Sequence, residues 1–130
     1  MSININMLQG DCLEKLKEMD MLSNFRKQWK HTAELVHDNA VKKGFWDKER
    51  NDGEAIALIH SELSEALEGL RAGNPPDDKI PEYTAMEAEL ADAVIRIMDY
   101  AEGRGYDVAG ALVNKMAYNM TRDRLHGKMF

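Results

Sequence analysis

Apolar residues that recur every three or four positions, with glycine and proline between the runs, most constrain how this chain can fold. The pattern predicts four helices. The first runs from about Leu22 to Lys43, and the second from a cap at Asn51 or Asp52 to Gly73. The third runs from a capping box at Thr84 and Glu87 to the EGRGYD segment, and the fourth from a cap at Asp107 to about Thr121. The segment NPPDDKIPEY cannot be helical through its prolines, so it is expected to connect the second and third helices. The predicted fold class is therefore all-α, a four-helix bundle with little strand.

The leader SININMLQGDCLEKLKEM differs from the rest of the chain. Its pattern predicts a short alternating strand, a Gly-Asp turn and a helix. We therefore expect two parts, a short N-terminal extension over residues 1–20 and a helical domain over residues 21–130.

The charge and cysteine content exclude several classes of function. The formal net charge is −6 and no long basic run is present, which argues against nucleic acid as a partner, because phosphate contacts need clustered cations. The single cysteine, Cys12, allows no internal disulfide and favours a reducing compartment. No apolar run is long enough for a membrane span and no signal-peptide pattern opens the chain, so no membrane partner and a cytoplasmic location are expected.

Acidic residues flank the apolar stripes of two consecutive predicted helices. The stripe of the second helix is Ile56, Ile59, Leu63, Ala66, Leu67 and Leu70, and that of the third is Leu90, Val94, Ile97, Met98 and Ala101. On the second helix, Glu62 lies at the edge of the stripe, Glu65 lies one step further round, and Glu68 is expected to face solvent. On the third helix, Glu89 and Asp92 share one flank. Antiparallel packing of the two helices would bring four carboxylates, Glu62, Glu65, Glu89 and Asp92, into one half-buried groove.

Such a group of carboxylates is costly unless some are protonated or a divalent cation lies between them. Oxygen ligands without an accompanying cysteine or histidine point to Mg²⁺, with Mn²⁺ as the alternative metal. Either acidic motif alone would be read as a solvated helix face. Their pairing on consecutive helices favours the metal-ligand interpretation.

HSELSEALEGLR, followed after a loop by EAELADAVIRIMDYAE, resembles the MazG-like branch of the all-α nucleoside triphosphate pyrophosphohydrolases. That superfamily, which includes dimeric dUTPases and phosphoribosyl-ATP pyrophosphatases, has the motifs E-E-x-x-E and E-x-x-D; Ser61 replaces the first glutamate here. The resemblance runs from about KKGFWD to the C-terminus. It implies cleavage of (d)NTP to (d)NMP and pyrophosphate. The role that we predict is clearance of unwanted deoxynucleotides from the nucleotide pool, and control of nucleotide pools or of alarmones is the alternative.

The chemistry assigns roles to the carboxylates. Phosphoryl transfer needs positive charge on the reacting oxygens and a water aligned for in-line attack. Metal held by the four carboxylates supplies the charge, and one carboxylate serves as general base. We predict Glu65 as that base, with Glu62 beside it as the second catalytic carboxylate.

Candidate substrate-binding residues lie outside the acidic helices. Lys115, Asn119 and Arg122 follow helical spacing and are predicted to contact phosphate, the alternative being a solvated face. Trp46 in KGFWD is a candidate surface for stacking a base, although it is equally suited to capping the core. Lys43 is predicted to reach phosphate or sugar, or else to interact with the C-terminal dipole of the first helix.

Two other functions remain open from the sequence. A non-catalytic helical nucleotide-binding or scaffold module would carry the acidic cluster without turnover. A di-iron carboxylate bundle is suggested by Glu34-x-x-His37, although that chemistry wants two such pairs and only one is present. Phe25, Trp29 and several methionines leave apolar surface on a chain this short, so a homodimer or homotetramer is expected.

Overall fold

The computed structural model describes residues 5–129, with side chains for residues 14, 15 and 17–129. The helices are α1 (Ile5–Lys42), α2 (Asp52–Arg71), α3 (Ala85–Arg104), α4 (Val108–Met120) and a 3₁₀ turn, Arg124–Gly127. Within this described part the only β-type pairing is an isolated bridge between Pro76 and Thr84. The all-α fold class is therefore confirmed.

Local capping explains where three of the helices begin. In each case a side chain accepts a hydrogen bond from a backbone amide of the first turn. Asn51 accepts from the Glu54 amide at 2.9 Å, Thr84 from the Glu87 amide at 3.2 Å, and Asp107 from the Gly110 amide at 2.9 Å. The Thr84 hydroxyl also donates to the Glu87 carboxylate, at 3.0 Å. The predicted helix starts are confirmed at all three positions.

Glycine marks the C-terminal ends. Gly105 is the C-cap of α3 with φ of 74°, and Gly73 follows the end of α2 with φ of 87°. Both values lie in the left-handed region, which glycine adopts without steric cost. The predicted ends of the second and third helices are therefore confirmed.

The leader does not have the predicted strand and turn. Helix α1 begins at Ile5 and runs without interruption to Lys42, so Gly10 and Asp11 lie within a helix. Leucine, methionine, lysine and glutamate dominate the leader from residue 12 onwards, and their helix propensity outweighs the roughly 1 kcal/mol cost of one internal glycine. Residues 2–4 of the predicted strand lie outside the described residues. The domain boundary at residue 20 stays a prediction.

The chain divides into two compact units, the first with residues up to His31 and from Asp107 onwards, the second with Thr32–Tyr106. In the first unit, Arg26 pairs with Asp107 at 3.4 Å and the rings of Phe25 and Trp29 lie 5.9 Å apart. The second unit holds α2 and α3, and with them every acidic residue of the predicted metal site.

Helices α2 and α3 pack against each other in antiparallel orientation. At one end Gly69 faces Ala85 so closely that a Cβ on Gly69 would come within 3.1 Å of the Ala85 Cβ. At the other end Asp52 accepts hydrogen bonds from Arg104 at 2.8 Å and Tyr100 at 3.0 Å. The middle of α2 therefore faces the middle of α3, where the acidic motifs lie.

The buried core consists mainly of alanine and matches the predicted apolar stripes only in part, at Ala66, Met98 and Ala101. The buried apolar residues of the second unit are Ala33, Ala55, Ala66, Ala88, Ala93, Met98 and Ala101. The branched residues predicted to form the buried stripes are instead 39% to 50% exposed: Ile56, Leu63, Leu67, Leu70, Leu90 and Val94. Alanine and glycine allow close helix approach, so the larger side chains lie on an outer face of the pair. We call these six residues the apolar face.

No helix in the described part of the chain combines the length and apolar character needed to cross a bilayer.

Candidate functional site

Three carboxylates from the two packed helices come together in the second unit. Glu62 of α2 and Glu89 and Asp92 of α3 each offer an oxygen, and these oxygens all lie within 4.8 Å of one another. Glu62 is buried at 6% exposure, Glu89 is half-buried and Asp92 is exposed. Spacing of three residues places Glu89 and Asp92 on the same side of α3. We refer to these three residues as the carboxylate cluster.

The fourth predicted carboxylate lies beside the cluster. Glu65 is exposed on α2 and close enough to interact with both Glu62 and Glu89 through hydrogen bonding. Glu68, one turn further, has a side chain that is 72% exposed and pairs with Arg71 at 3.3 Å. The structure thus brings together the residues that the sequence grouped and separates Glu68 from them.

The electrostatics of the cluster are uneven. Burial, followed by the charge and hydrogen bonding of Glu65 and the charges of Asp92 and Glu62, raises the pKa of Glu89 to about 7. Burial alone would also raise the pKa of Glu62, but hydrogen bonding and charge from Arg96, with hydrogen bonds involving Glu65 and Glu89, lower it. Glu62 is therefore ionised at neutral pH, while Glu89 is the member of the cluster that holds a proton most readily.

Arg96 is a site residue that the sequence analysis missed. Its Nε donates to Oε1 of Glu62 in a close ion pair across the two helices. Arg96 follows Asp92 by four residues and so lies on the same side of α3. Extending the helical spacing beyond Asp92 would have found it in the sequence.

The three carboxylates of the cluster could hold a metal ion. Oxygen atoms on opposite sides of an octahedral Mg²⁺ are about 4.2 Å apart and adjacent ones about 3.0 Å, since each metal–oxygen distance is about 2.1 Å. The cluster oxygens, all within 4.8 Å of one another, are separated by distances of this order. The donor set is all carboxylate, which suits Mg²⁺ or Mn²⁺ better than zinc.

A cavity of about 480 Å³ adjoins the cluster in the same unit. Its apolar lining is Leu35, Val36, Ala40, Phe45 and Ile95, and its polar lining is Asn39, Arg50, Glu62, Asp92, Arg96 and Asp99. The volume lies within the range of small-ligand sites, and apolar walls with a few polar groups are typical of them. Glu62 and Asp92 therefore belong both to the cluster and to the cavity wall.

Asp99 is a second residue that the sequence analysis missed. It is 6% exposed and accepts a hydrogen bond from Trp46 Nε1 at 2.8 Å. His37 Nδ1 lies 2.9 Å from the same oxygen, Oδ1, and Arg50 lies 3.7 Å from Oδ2. A buried carboxylate needs such partners to offset desolvation, and here they tie α1 and the loop before α2 to α3. Asp99 thereby fixes Arg50 in the cavity wall.

Trp46 packs within the fold through several contacts. Its ring lies edge-on to His37 at 5.0 Å, and the guanidinium groups of Arg50 and Arg104 lie 5.0 and 5.7 Å from its centre. A Cβ on Gly103 would come within 2.3 Å of the indole, so only glycine fits beside the ring. Stacking of a base on Trp46 stays a prediction, as does phosphate or sugar binding by the exposed Lys43.

The predicted phosphate-binding residues of the fourth helix lie in the other compact unit. Lys115 and Arg122 lie on either side of Tyr118 in sequence and approach its ring at 5.4 and 5.7 Å. Asn119 is exposed, and its carbonyl accepts from the Arg122 amide at 3.2 Å, just beyond the end of α4. Their contact with phosphate stays a prediction.

The di-iron alternative finds no support in the site. Among the residues whose side chains are described, the one group able to hold a metal contains no histidine. His37 instead contacts Asp99, and Glu34 has interactions of its own.

Comparison with known proteins leaves the family open. No family model, curated protein or solved structure matches the chain. The carboxylate cluster and the cavity beside it are the features of this chain that point to a function.

Proposed function

We propose that this protein is a Mg²⁺-dependent nucleoside triphosphate pyrophosphohydrolase, with Mn²⁺ as an alternative metal, that belongs to the MazG-like branch and cleaves (d)NTP to (d)NMP and pyrophosphate. The observation that carries the proposal is the convergence of Glu62, Glu89 and Asp92 within 4.8 Å at the wall of a cavity of about 480 Å³. Clearance of unwanted nucleotides is the proposed role.

The cavity has the chemical character that a nucleotide requires. Phe45 and Ile95 belong to an apolar lining that suits a base, while Arg50 and Arg96 bring positive charge to the same space. A divalent cation held by the cluster supplies charge that stabilises the phosphate oxygens. The phosphate end of a substrate then lies at the carboxylates and the nucleoside end in the cavity.

Glu65 is the proposed general base. It adjoins Glu62 and Glu89 but stands outside the group of three oxygens that converge within 4.8 Å. A carboxylate in that position can accept a proton from the attacking water while the other three hold the metal. Glu62 contributes by holding the metal beside it.

The proposed enzyme is a homodimer or homotetramer. The apolar face is exposed along both α2 and α3, and an exposed patch of branched side chains on a small chain is typical of a protein interface. A second copy with the same face would bury it around a two-fold axis.

Release of pyrophosphate from a panel of canonical and modified nucleoside triphosphates, with Mg²⁺ or Mn²⁺ and with an EDTA control, tests the proposal. Glu62→Gln should lower turnover by roughly 100-fold or more, since even residues that only support a metal ligand typically contribute 10–100-fold. Glu68→Gln is the matched control, because Glu68 lies on the same helix in solvent. Both variants should keep the helical circular dichroism signal.

Two results would contradict the proposal. One is the absence of pyrophosphate release from every substrate with either metal, which would favour a non-catalytic nucleotide-binding or scaffold module. The other is full activity in Glu62→Gln.

A further inference from the structure

The ion pair between Arg96 and Glu62 joins a cation of the chain to a proposed metal ligand. Glu62 is 6% exposed and the Arg96 side chain is 30% exposed, so solvent screens this pair only partly. A buried carboxylate without a counter-charge is costly, and Arg96 supplies that charge. Both residues line the cavity.

Arg96 has hydrogen-bonding capacity beyond this pair. The contact with Glu62 uses Nε, and no other hydrogen bond of the guanidinium is found among the described residues. The two terminal amino groups are therefore available to a ligand in the cavity. A guanidinium binds phosphate oxygens with two parallel hydrogen bonds, a geometry that lysine cannot reproduce.

In this position the Arg96 guanidinium would compete with a bound metal ion for the Glu62 carboxylate. A positive charge that contacts a metal ligand repels a divalent ion and competes for the same carboxylate charge. A triphosphate changes this balance, because its anionic oxygens offer Arg96 another partner and leave Glu62 to the metal.

We propose that Arg96 is a displaceable counter-ion of Glu62, which weakens binding of a free divalent cation and moves to a phosphate oxygen when a metal–triphosphate complex enters the cavity. The inference rests on the proposed function of this site and adds a substrate-binding residue to it. It implies that the protein selects metal–triphosphate over free metal.

The test compares two affinities in the unmodified protein and in Arg96→Met. Electron paramagnetic resonance of unbound Mn²⁺ measures the affinity for the free ion, and calorimetry measures the affinity for preformed Mn²⁺–tripolyphosphate. In Arg96→Met we expect free Mn²⁺ to bind roughly tenfold more tightly and Mn²⁺–tripolyphosphate roughly tenfold more weakly. If Arg96 only held Glu62 in place, both affinities would fall together.

Arg71→Met is the matched control. Arg71 also pairs with a glutamate of α2, Glu68, but both side chains are about 70% exposed and lie outside the cavity lining. Both affinities should stay at the value of the unmodified protein. Circular dichroism and thermal unfolding establish that each variant is folded.

Arg96→Lys keeps the test valid if Arg96→Met does not fold. Lysine retains the charge but loses the guanidinium fork, so free Mn²⁺ should bind within about threefold of the unmodified protein. Binding of Mn²⁺–tripolyphosphate should be roughly tenfold weaker.

The outcomes separate this inference from the proposed function. Two results would overturn the role of Arg96: free Mn²⁺ binding that is unchanged or weaker in Arg96→Met, and free Mn²⁺ binding that is clearly weaker in Arg96→Lys. Neither result would contradict the proposed function, which pyrophosphate release by the unmodified protein tests. Absence of Mn²⁺–tripolyphosphate binding by the unmodified protein would overturn this inference, whereas absence of pyrophosphate release from every nucleoside triphosphate would overturn the proposed function.

Discussion

Metal binding should release a proton from Glu89. Burial and the neighbouring carboxylates, Glu65 foremost, raise the pKa of this residue to about 7. A divalent cation favours the ionised form, so a protonated Glu89 must lose its proton when the metal binds. The proton count therefore reports directly on whether Glu89 is a ligand.

The raised pKa gives the size and direction of the effect. With a pKa of about 7, Glu89 carries about 0.9 proton at pH 6, 0.5 at pH 7 and 0.1 at pH 8. Metal affinity should rise nearly tenfold per unit of pH below 7 and level off above 8. The pKa is raised on folding, so the contribution of Glu89 to stability without metal should be fully present at acidic pH and be lost as pH rises from about 4.5 to 7.

Calorimetric titration with Mg²⁺ in buffers of different ionisation enthalpy measures the protons released. Glu89→Gln should release almost none at pH 6 and should bind the metal more weakly. Glu68→Gln, which changes an exposed carboxylate on α2, should behave as the unmodified protein. An affinity that is constant from pH 6 to 8, with no proton released at pH 6, would refute the assignment.

Three further predictions concern the surroundings of the cluster. Asp99→Asn should lower the free energy of unfolding by about 2 kcal/mol in denaturant titration, because the buried carboxylate loses charge-assisted contacts with Trp46 and Arg50; unchanged stability would contradict this. Leu67→Glu on the apolar face should convert the proposed oligomer to monomers in light scattering without loss of helix, whereas an unchanged mass would exclude this face as the interface. Phe45→Ala should raise the KM for nucleoside triphosphates roughly tenfold but leave tripolyphosphate binding unchanged, and an equal loss for both would remove Phe45 from the base site.

The helix boundaries could be predicted from the sequence because their causes are local. Thr84 caps α3 through an amide three residues away, and Gly105 ends the helix through its own backbone conformation. The prediction of a strand and a turn in the leader was wrong, because the helix-forming residues around Gly10 and Asp11 outweigh the local turn signal of those two residues.

The choice of the buried face could not be predicted from apolar spacing alone. Leu63 and Leu67 follow helical spacing as core residues do, yet they are exposed while the alanine at 66 is buried. Periodicity identifies an apolar face but does not say whether the chain itself or another molecule covers it. Close packing at Gly69 and Ala85 decides this, and it depends on tertiary contact.

The carboxylate cluster could be predicted because each helix carries its acids at a spacing of three, and one antiparallel pairing brings them together. The network of Asp99 could not, since its partners lie 53 and 62 residues away at Trp46 and His37. No local pattern fixes such distances.

Asp92, Arg96 and Asp99 nevertheless follow one another at spacings of four and three, so they share one side of α3, and all three line the cavity. Charge along this side alternates, acidic at the cluster, basic one turn later and acidic again at Asp99. Arg96 has a carboxylate partner in Glu62, just as Arg50 has one in Asp99, so neither guanidinium in the cavity wall is left without a counter-charge. Because these ion pairs neutralise one another, this side of α3 carries no unpaired buried charge before a ligand binds.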